Sequence, residues 1–311
     1  MIDVHTHIGY HELFPDYFVK EIANSLFKTL PLSEQNASGL HLLERLIKAS
    51  LSDKDGSQLV KQATLGGIEK SVVLIVDFFY QEGGDQKLTE IERVHEFHKK
   101  ILENNGDKIV VFSGIDPRRG QDGLDLLEKA LKEYGFKGLK LYPPCGFEID
   151  EAVALDYYQL CSEIQVPVLI HTGPSVDSMY VSTRYPSSVE NIARQFPKLN
   201  LILAHAGILY FDEGFYLAKK YSNIYVDISG FQKDLGKKDA IGKKVGQYMS
   251  CVPNKIIFGS DWPLFNVGKN LKDTMLQLKG SLDLKQSEWE RLFEGNAREA
   301  LGIEKENIAR L

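Results

Sequence analysis

Eight apolar runs punctuate the chain, at residues 2–7, 71–77, 108–115, 138–142, 167–171, 199–205, 223–228 and 255–260. Most are continuous stretches of valine, isoleucine and leucine, not apolar–polar alternations. That pattern belongs to strands buried on both faces, as in a parallel sheet covered by helices. The intervals 88–104, 123–134 and 150–164 carry helical periodicity, which supplies those helices. Eight βα units in 311 residues predict an α/β fold, a closed (β/α)8 TIM barrel, which typically takes about 250 residues. An open doubly wound sheet is the alternative, but no GxGxxG turn follows the first run.

One interval breaks the rhythm. Residues 11–67 read as a helical insertion after strand one, with Leu40, Leu42, Leu43, Leu46 and Ile47 spaced as an amphipathic helix. A preceding helix over 16–30 is expected to stop at Pro31. Asp53-Lys54-Asp55-Gly56 reads as a turn, because the remaining ligand positions of a calcium loop are missing. Near the end, Ser287 with Glu290 predicts a capping box for a helix through Phe293 and Gly295 a helix stop, and Asn296 with Glu299 starts a second short helix. The basic run 233–244 reads as a solvated helix or loop. No repeat or linker interrupts the chain, so residues 1–311 are read as one domain.

Composition narrows the function classes. A formal net charge of -6 argues against a general nucleic-acid surface. Three widely spaced cysteines give neither a disulfide framework nor a CxxC metal pair, which fits a reducing cytosol. The longest apolar run, 72–80, is broken by Asp77 and is too short to span a bilayer. The chain opens almost directly in a strand, without a signal-peptide pattern. These features predict a cytoplasmic protein with no nucleic-acid or membrane partner, and the insertion is available as a homo-oligomer contact.

The histidines then stand out. Of eight, His5, His7, His171 and His205 fall at the ends of predicted strands one, five and six, and strand eight ends at Asp261. In a barrel all those ends meet on the face that holds the active site. His5 and His7, two apart on a strand, share a face. Leu201, Leu203 and His205 are expected to share one face of strand six, and Ile257, Gly259 and Asp261 one face of strand eight. Neutral imidazole and carboxylate are ligands for zinc and similar metals. His11, His41, His95 and His98 fall at no strand end and are read as surface or core residues.

Asp3-Val4-His5-Thr6-His7, His171-Thr172-Gly173, His205-Ala206-Gly207 and Gly259-Ser260-Asp261-Trp262-Pro263, in that order, resemble the amidohydrolase superfamily. So do Phe136-Lys137-Gly138-Leu139-Lys140-Leu141-Tyr142-Pro143-Pro144, Asn296-Ala297-Arg298 and the stretch 185–205. The similarity is closest to its amidohydrolase-related branch, with aminocarboxymuconate-semialdehyde decarboxylase, aromatic-acid decarboxylases, hydratases and lactone hydrolases. The resemblance implies one divalent metal, zinc first and manganese or iron as alternatives, held by His5, His7, His171 and Asp261 with a position open for water. It implies that Asp261 is the general acid/base and that His205 polarises an oxygen or shuttles the proton. Lys140 leaves three arrangements open: a charged group near the substrate, a buried partner of an acid, or a carboxylated bridge to a second metal held by His171 and His205.

Substrate contacts are expected from Lys140, Tyr142, Arg184 and Trp262. Pro144, Phe147 and Tyr180 are further wall candidates, and Arg118 and Arg119 are other candidates for a carboxylate fork. Cys145 is read as a bystander. Two activities follow from the resemblance: hydrolysis through a metal-activated water, or non-oxidative decarboxylation or hydration of an aromatic or unsaturated acid.

Overall fold

In the computed structural model the described residues are 1–28, 35–80, 88–173, 175–176, 179–182, 184–207, 211–230, 241–263 and 270–303. Eight strands pair in chain order: β1 (Ile2–Thr6), β2 (Lys70–Leu74), β3 (Ile109–Gly114), β4 (Leu139–Leu141), β5 (Val168–His171), β6 (Leu201–Ala204), β7 (Ile224–Asp227) and β8 (Ile256–Ile257). Every pairing is parallel. The seam closes because the Val4 N–H donates to the Phe258 carbonyl (3.1 Å), Asp261 N–H to His5 O (2.7 Å) and His7 N–H to Trp262 O (2.7 Å). The (β/α)8 barrel expected from the rhythm of apolar runs is the fold. The strands are shorter than those runs because several run ends leave the ladder to form the rim.

Two apolar layers fix the barrel. Val72, Leu74, Phe112, Leu169, Ile202, Ala204, Tyr225 and Ile257 form one buried cluster with Ala297, Ala300 and Leu301 of the helix Asn296–Leu301. The alternate residues, among them Val73, Val111, Leu139, Val168, Leu201, Leu203, Ile224 and Ile256, join the larger core with helix residues such as Ile91, Leu127 and Ile192. Strand parity therefore divides a filled barrel interior from a helix-covered exterior. Among the described residues no helix is long and apolar enough to cross a membrane.

The insertion is helical as expected, with helices at Asp16–Phe27, Ala37–Ser50 and Ser57–Leu65. Pro31 lies outside the described residues. Val19, Ala23, Ile47 and Leu51 form its own small core, while Leu42 and Leu46 stay more than half exposed. Asp53 makes the predicted turn by accepting from the Gln58 (3.2 Å) and Leu59 (3.0 Å) amides at a helix start. Most of the basic run 233–244 also lies outside the described residues; its end falls in the helix Ile241–Cys251.

The chain's end needs correction. The helix starts two residues earlier than expected, at Gln286 with Lys285 rather than Ser287 as its cap, and the Lys285 amide donates to Glu288 Oε2 (2.8 Å). Gly295 does not stop it: the chain passes through a π turn, Arg291–Gly295, into the helix Asn296–Leu301.

Candidate active site

The β1–β8 seam assembles the centre. Because those two strand ends are hydrogen-bonded neighbours, His5, His7 and Asp261 meet although 254 positions separate His7 from Asp261. Asp261 Oδ1 lies 3.5 Å from His5 Nε2 and 3.3 Å from His7 Nε2. One donor atom from each of the three residues falls within 4.8 Å of the others, and all three residues are buried. Asp3, one turn of the pleat deeper, ties the seam together: its Oδ1 accepts from the Ser260 (2.9 Å) and His5 (3.2 Å) amides. Burial pushes the Asp3 carboxyl up to about 7 against those hydrogen bonds.

The seam triad has the electrostatics of a cation site. His7 Nδ1 lies 2.8 Å from the Leu74 carbonyl, which can only accept, so that nitrogen carries the proton and Nε2 presents a lone pair. It faces the Asp261 carboxylate, with Oδ1 making no hydrogen bond. His171 Nε2 is likewise buried without a hydrogen-bond partner. Buried donors left bare in a polar centre are what a bound divalent metal satisfies, so the residues present fit one.

The other candidates surround this set. His171 Nδ1 lies 3.2 Å from His205 Nε2. Burial, then His205 and Lys140, keep His171 neutral by lowering its pKa well below the ordinary value. Lys140 is 1% exposed, its Nζ makes no hydrogen bond, and burial lowers it to about 8 against the pull of Asp227 and Asp261. The Tyr142 ring packs 4.5 Å from that of His171, and its hydroxyl meets Ser175 Oγ at 2.6 Å. Trp262 joins through its backbone, as the seam partner of Thr6 and His7.

Beside His171 opens a cavity of about 300 Å³, walled by Pro143, Ile149, Val176 and Met179 and edged by Ser175 and Ser182. Pro144 and Tyr180 line it as well, whereas Phe147 is buried in the core. Cys145 is buried, and burial raises its thiol pKa well above normal, consistent with a bystander.

The arginines go elsewhere. Arg184 is not among the cavity's lining residues; its half-exposed guanidinium pairs with Asp150 at 2.7 Å. Arg119 is buried and forks onto Asp77 (2.6 and 3.1 Å). Arg118 grips Asp116 (2.9 and 2.6 Å) and the carbonyls of Cys145 and Gly146. Each guanidinium is committed to a carboxylate of the rim.

One expectation about geometry changes. His205 does not share a face with Leu201 and Leu203, which join the outer core. Its ring reaches the centre because His205 and Ala206 take positive φ, 60° and 43°, and Asp261 does the same at 54°. Non-glycine residues in the left-handed region cost of order 1–3 kcal/mol each and concentrate at functional sites. The sequence reading also missed Asp227 and Ser229. Asp227 Oδ2 lies 2.9 Å from His5 Nδ1, and Ser229 Oγ 2.9 Å from His205 Nδ1. The signal was present: Asp227 is an acid at the end of the seventh apolar run, between Val226 and Ile228.

A closed β/α barrel with histidines and an aspartate converging on its C-terminal rim defines a metal-dependent barrel enzyme, and a divalent metal is supported by this donor set. The amidohydrolase family profile matches residues 95–303, about two thirds of the chain, and the chain belongs to that family. Protein fluG of Emericella nidulans is 25% identical over 100 residues, covering 32% of this chain; the match spans only 11% of that protein's length.

Solved structures share the fold at low identity. An uncharacterised TIM-barrel protein from Bordetella bronchiseptica has a TM-score of 0.67 at 16% identity, covering 97% of this chain and 98% of that one. A dihydroxybenzoic acid decarboxylase from a Polaromonas species, with bound manganese and 2-nitroresorcinol, has a TM-score of 0.65 at 13% identity, covering 100% and 99%. A 4-oxalomesaconate hydratase from Rhodopseudomonas palustris has a TM-score of 0.60 at 16% identity, covering 97% and 96%.

Proposed function

We propose that this enzyme is a metal-dependent hydrolase that opens a carboxyl derivative, an ester, lactone or amide, of a small cyclic or carboxylate-bearing molecule. The observation that carries the reading is the bare donor set of His5, His7 and Asp261, with His171 beside it. These four residues would hold one divalent ion, zinc in the first instance. When bound, such an ion acidifies water and polarises a carbonyl.

The chain's own groups do the rest. Asp261 takes the proton released as a water oxygen bonds to the carbonyl carbon, and returns it to the departing oxygen or nitrogen. Lys140, charged at neutral pH and without a hydrogen-bond acceptor, balances the negative charge that collects on the substrate oxygens. The cavity beside His171 takes the organic part, with Tyr142 behind that ring. His205, whose Nε2 faces His171, orients that ring and passes a proton.

A second reading, non-oxidative decarboxylation or hydration, draws on the mostly apolar cavity wall, which suits an aromatic or unsaturated acid, and on structural neighbours named as a decarboxylase and a hydratase. A dinuclear version draws on the 3.2 Å approach of His171 Nδ1 to His205 Nε2 near buried Lys140.

Product analysis in 18O-water separates the activities. Hydrolysis places 18O in a new carboxylate; release of carbon dioxide without 18O incorporation selects the decarboxylase. Turnover by Asp261→Asn at the wild-type rate would sink both.

A further inference from the structure

We infer that Asp227 and Ser229, at the end of β7, fix the ring proton of both His5 and His205 on Nδ1, so that both Nε2 lone pairs face the centre. The positions of the protons follow from which neighbouring atoms can only accept. Asp227 Oδ1 accepts from the His205 (3.0 Å) and Ser229 (2.9 Å) amides, which holds the carboxylate in place. The Ser229 hydroxyl has one hydrogen, and it is donated to the same Oδ1. Ser229 Oγ is therefore an acceptor toward everything else it meets.

It meets two rings. His5 Nδ1 lies 2.9 Å from Asp227 Oδ2 and 3.1 Å from Ser229 Oγ. His205 Nδ1 lies 2.9 Å from Ser229 Oγ and 3.2 Å from the Ser229 carbonyl. All three oxygens are acceptors, so each Nδ1 must be the protonated nitrogen; a lone pair there would face oxygen lone pairs in a buried site. The same constraint extends one step in the metal-free protein. An unprotonated His205 Nε2 accepts from His171 Nδ1, which leaves His171 Nε2, buried and without a hydrogen bond, as a lone pair. One carboxylate and one hydroxyl, contacting no reacting atom, thus set the tautomers of three rings. Asp227 and Ser229 are positioning residues.

The inference rests on reading the centre as a metal site, and its test separates the two. In metal-free protein labelled with 15N-histidine, long-range NMR correlations report which ring nitrogen is protonated; His5→Gln and His205→Gln assign the signals. Nδ1–H is expected at both rings, and Nε2–H at either overturns the inference whatever the enzyme turns over. Asp227→Asn can place an N–H against His5 Nδ1. It should move the His5 proton to Nε2 and weaken zinc binding about 10- to 100-fold with unchanged circular dichroism. Wild-type tautomer and affinity in that variant contradict the inference. Should Asp227→Asn not fold, Ser229→Ala carries the test: loss of one acceptor at each ring should give a mixed His205 tautomer, and an unchanged His205 signal counts against it.

Discussion

Arg119→Met should destabilise the protein and leave its chemistry intact. The guanidinium and the Asp77 carboxylate are 1% and 2% exposed, and they form a two-point fork at 2.6 and 3.1 Å. Methionine keeps most of the packing and deletes the charge, so among the described residues Asp77 becomes a buried anion held by the Asp116 (3.0 Å) and Phe79 (3.2 Å) amides alone. Breaking a buried pair in this way costs about 3–5 kcal/mol. The two remaining amides favour the lower end, about 3 kcal/mol. With roughly 2.1 cal/mol/K of unfolding entropy per residue, a chain this long should lose about 5 °C in Tm. The double variant Asp77→Asn/Arg119→Met should recover much of the loss, because the stranded charge is gone. Thermal and urea unfolding of the four proteins of the cycle, with metal content recorded, reads both effects. Wild-type stability in Arg119→Met combined with a raised KM would refute the reasoning and return Arg119 to the substrate.

Two further predictions follow. His95 and His98 are buried on the helix Leu88–Asn105, and burial lowers their pKa values from 6.5 to about 4 and about 3. Because the unfolded chain takes up protons first, the stability from keeping these rings neutral is complete above pH 6.5. It falls as pH drops from there toward 4, by about 1.4 kcal/mol per unit for each ring. The difference in unfolding free energy between pH 7 and pH 5 should therefore shrink by about 2 kcal/mol in His98→Leu; an unchanged difference contradicts the assignment. Gly259→Ala would place a Cβ 2.7 Å from His5 Cβ and 3.2 Å from Ser229 Cβ. It should cost about 1–3 kcal/mol by overpacking and weaken metal binding more than its stability loss explains, as read by metal retention after dialysis.

The barrel was legible because eight buried parallel strands impose a periodicity that little else produces. The strand ends then pointed to His5, His7, His171, His205 and Asp261, since a barrel delivers all such ends to one rim. Legibility failed where position within the strand stopped controlling direction. His205 lies beyond β6, and its left-handed backbone, not parity, turns it inward. Asp227 is less conspicuous than a histidine, yet the same strand-end rule covers it, since it closes β7. The partners of the arginines were not legible for another reason: which carboxylate a guanidinium meets is a tertiary fact, and Asp77, Asp116 and Asp150 lie 42, 2 and 34 positions from Arg119, Arg118 and Arg184. Asp116 alone was close enough in sequence to be weighed.

The central claim is a divalent ion held by residues from opposite ends of the chain. Anomalous diffraction at the zinc and manganese edges, on crystals grown with each metal, tests it most directly. A peak enclosed by His5, His7, His171 and Asp261, lost in His7→Gln, is expected. A second peak between Lys140 and His205 would select the dinuclear version. An absence of anomalous signal at these residues in metal-saturated protein would contradict the account.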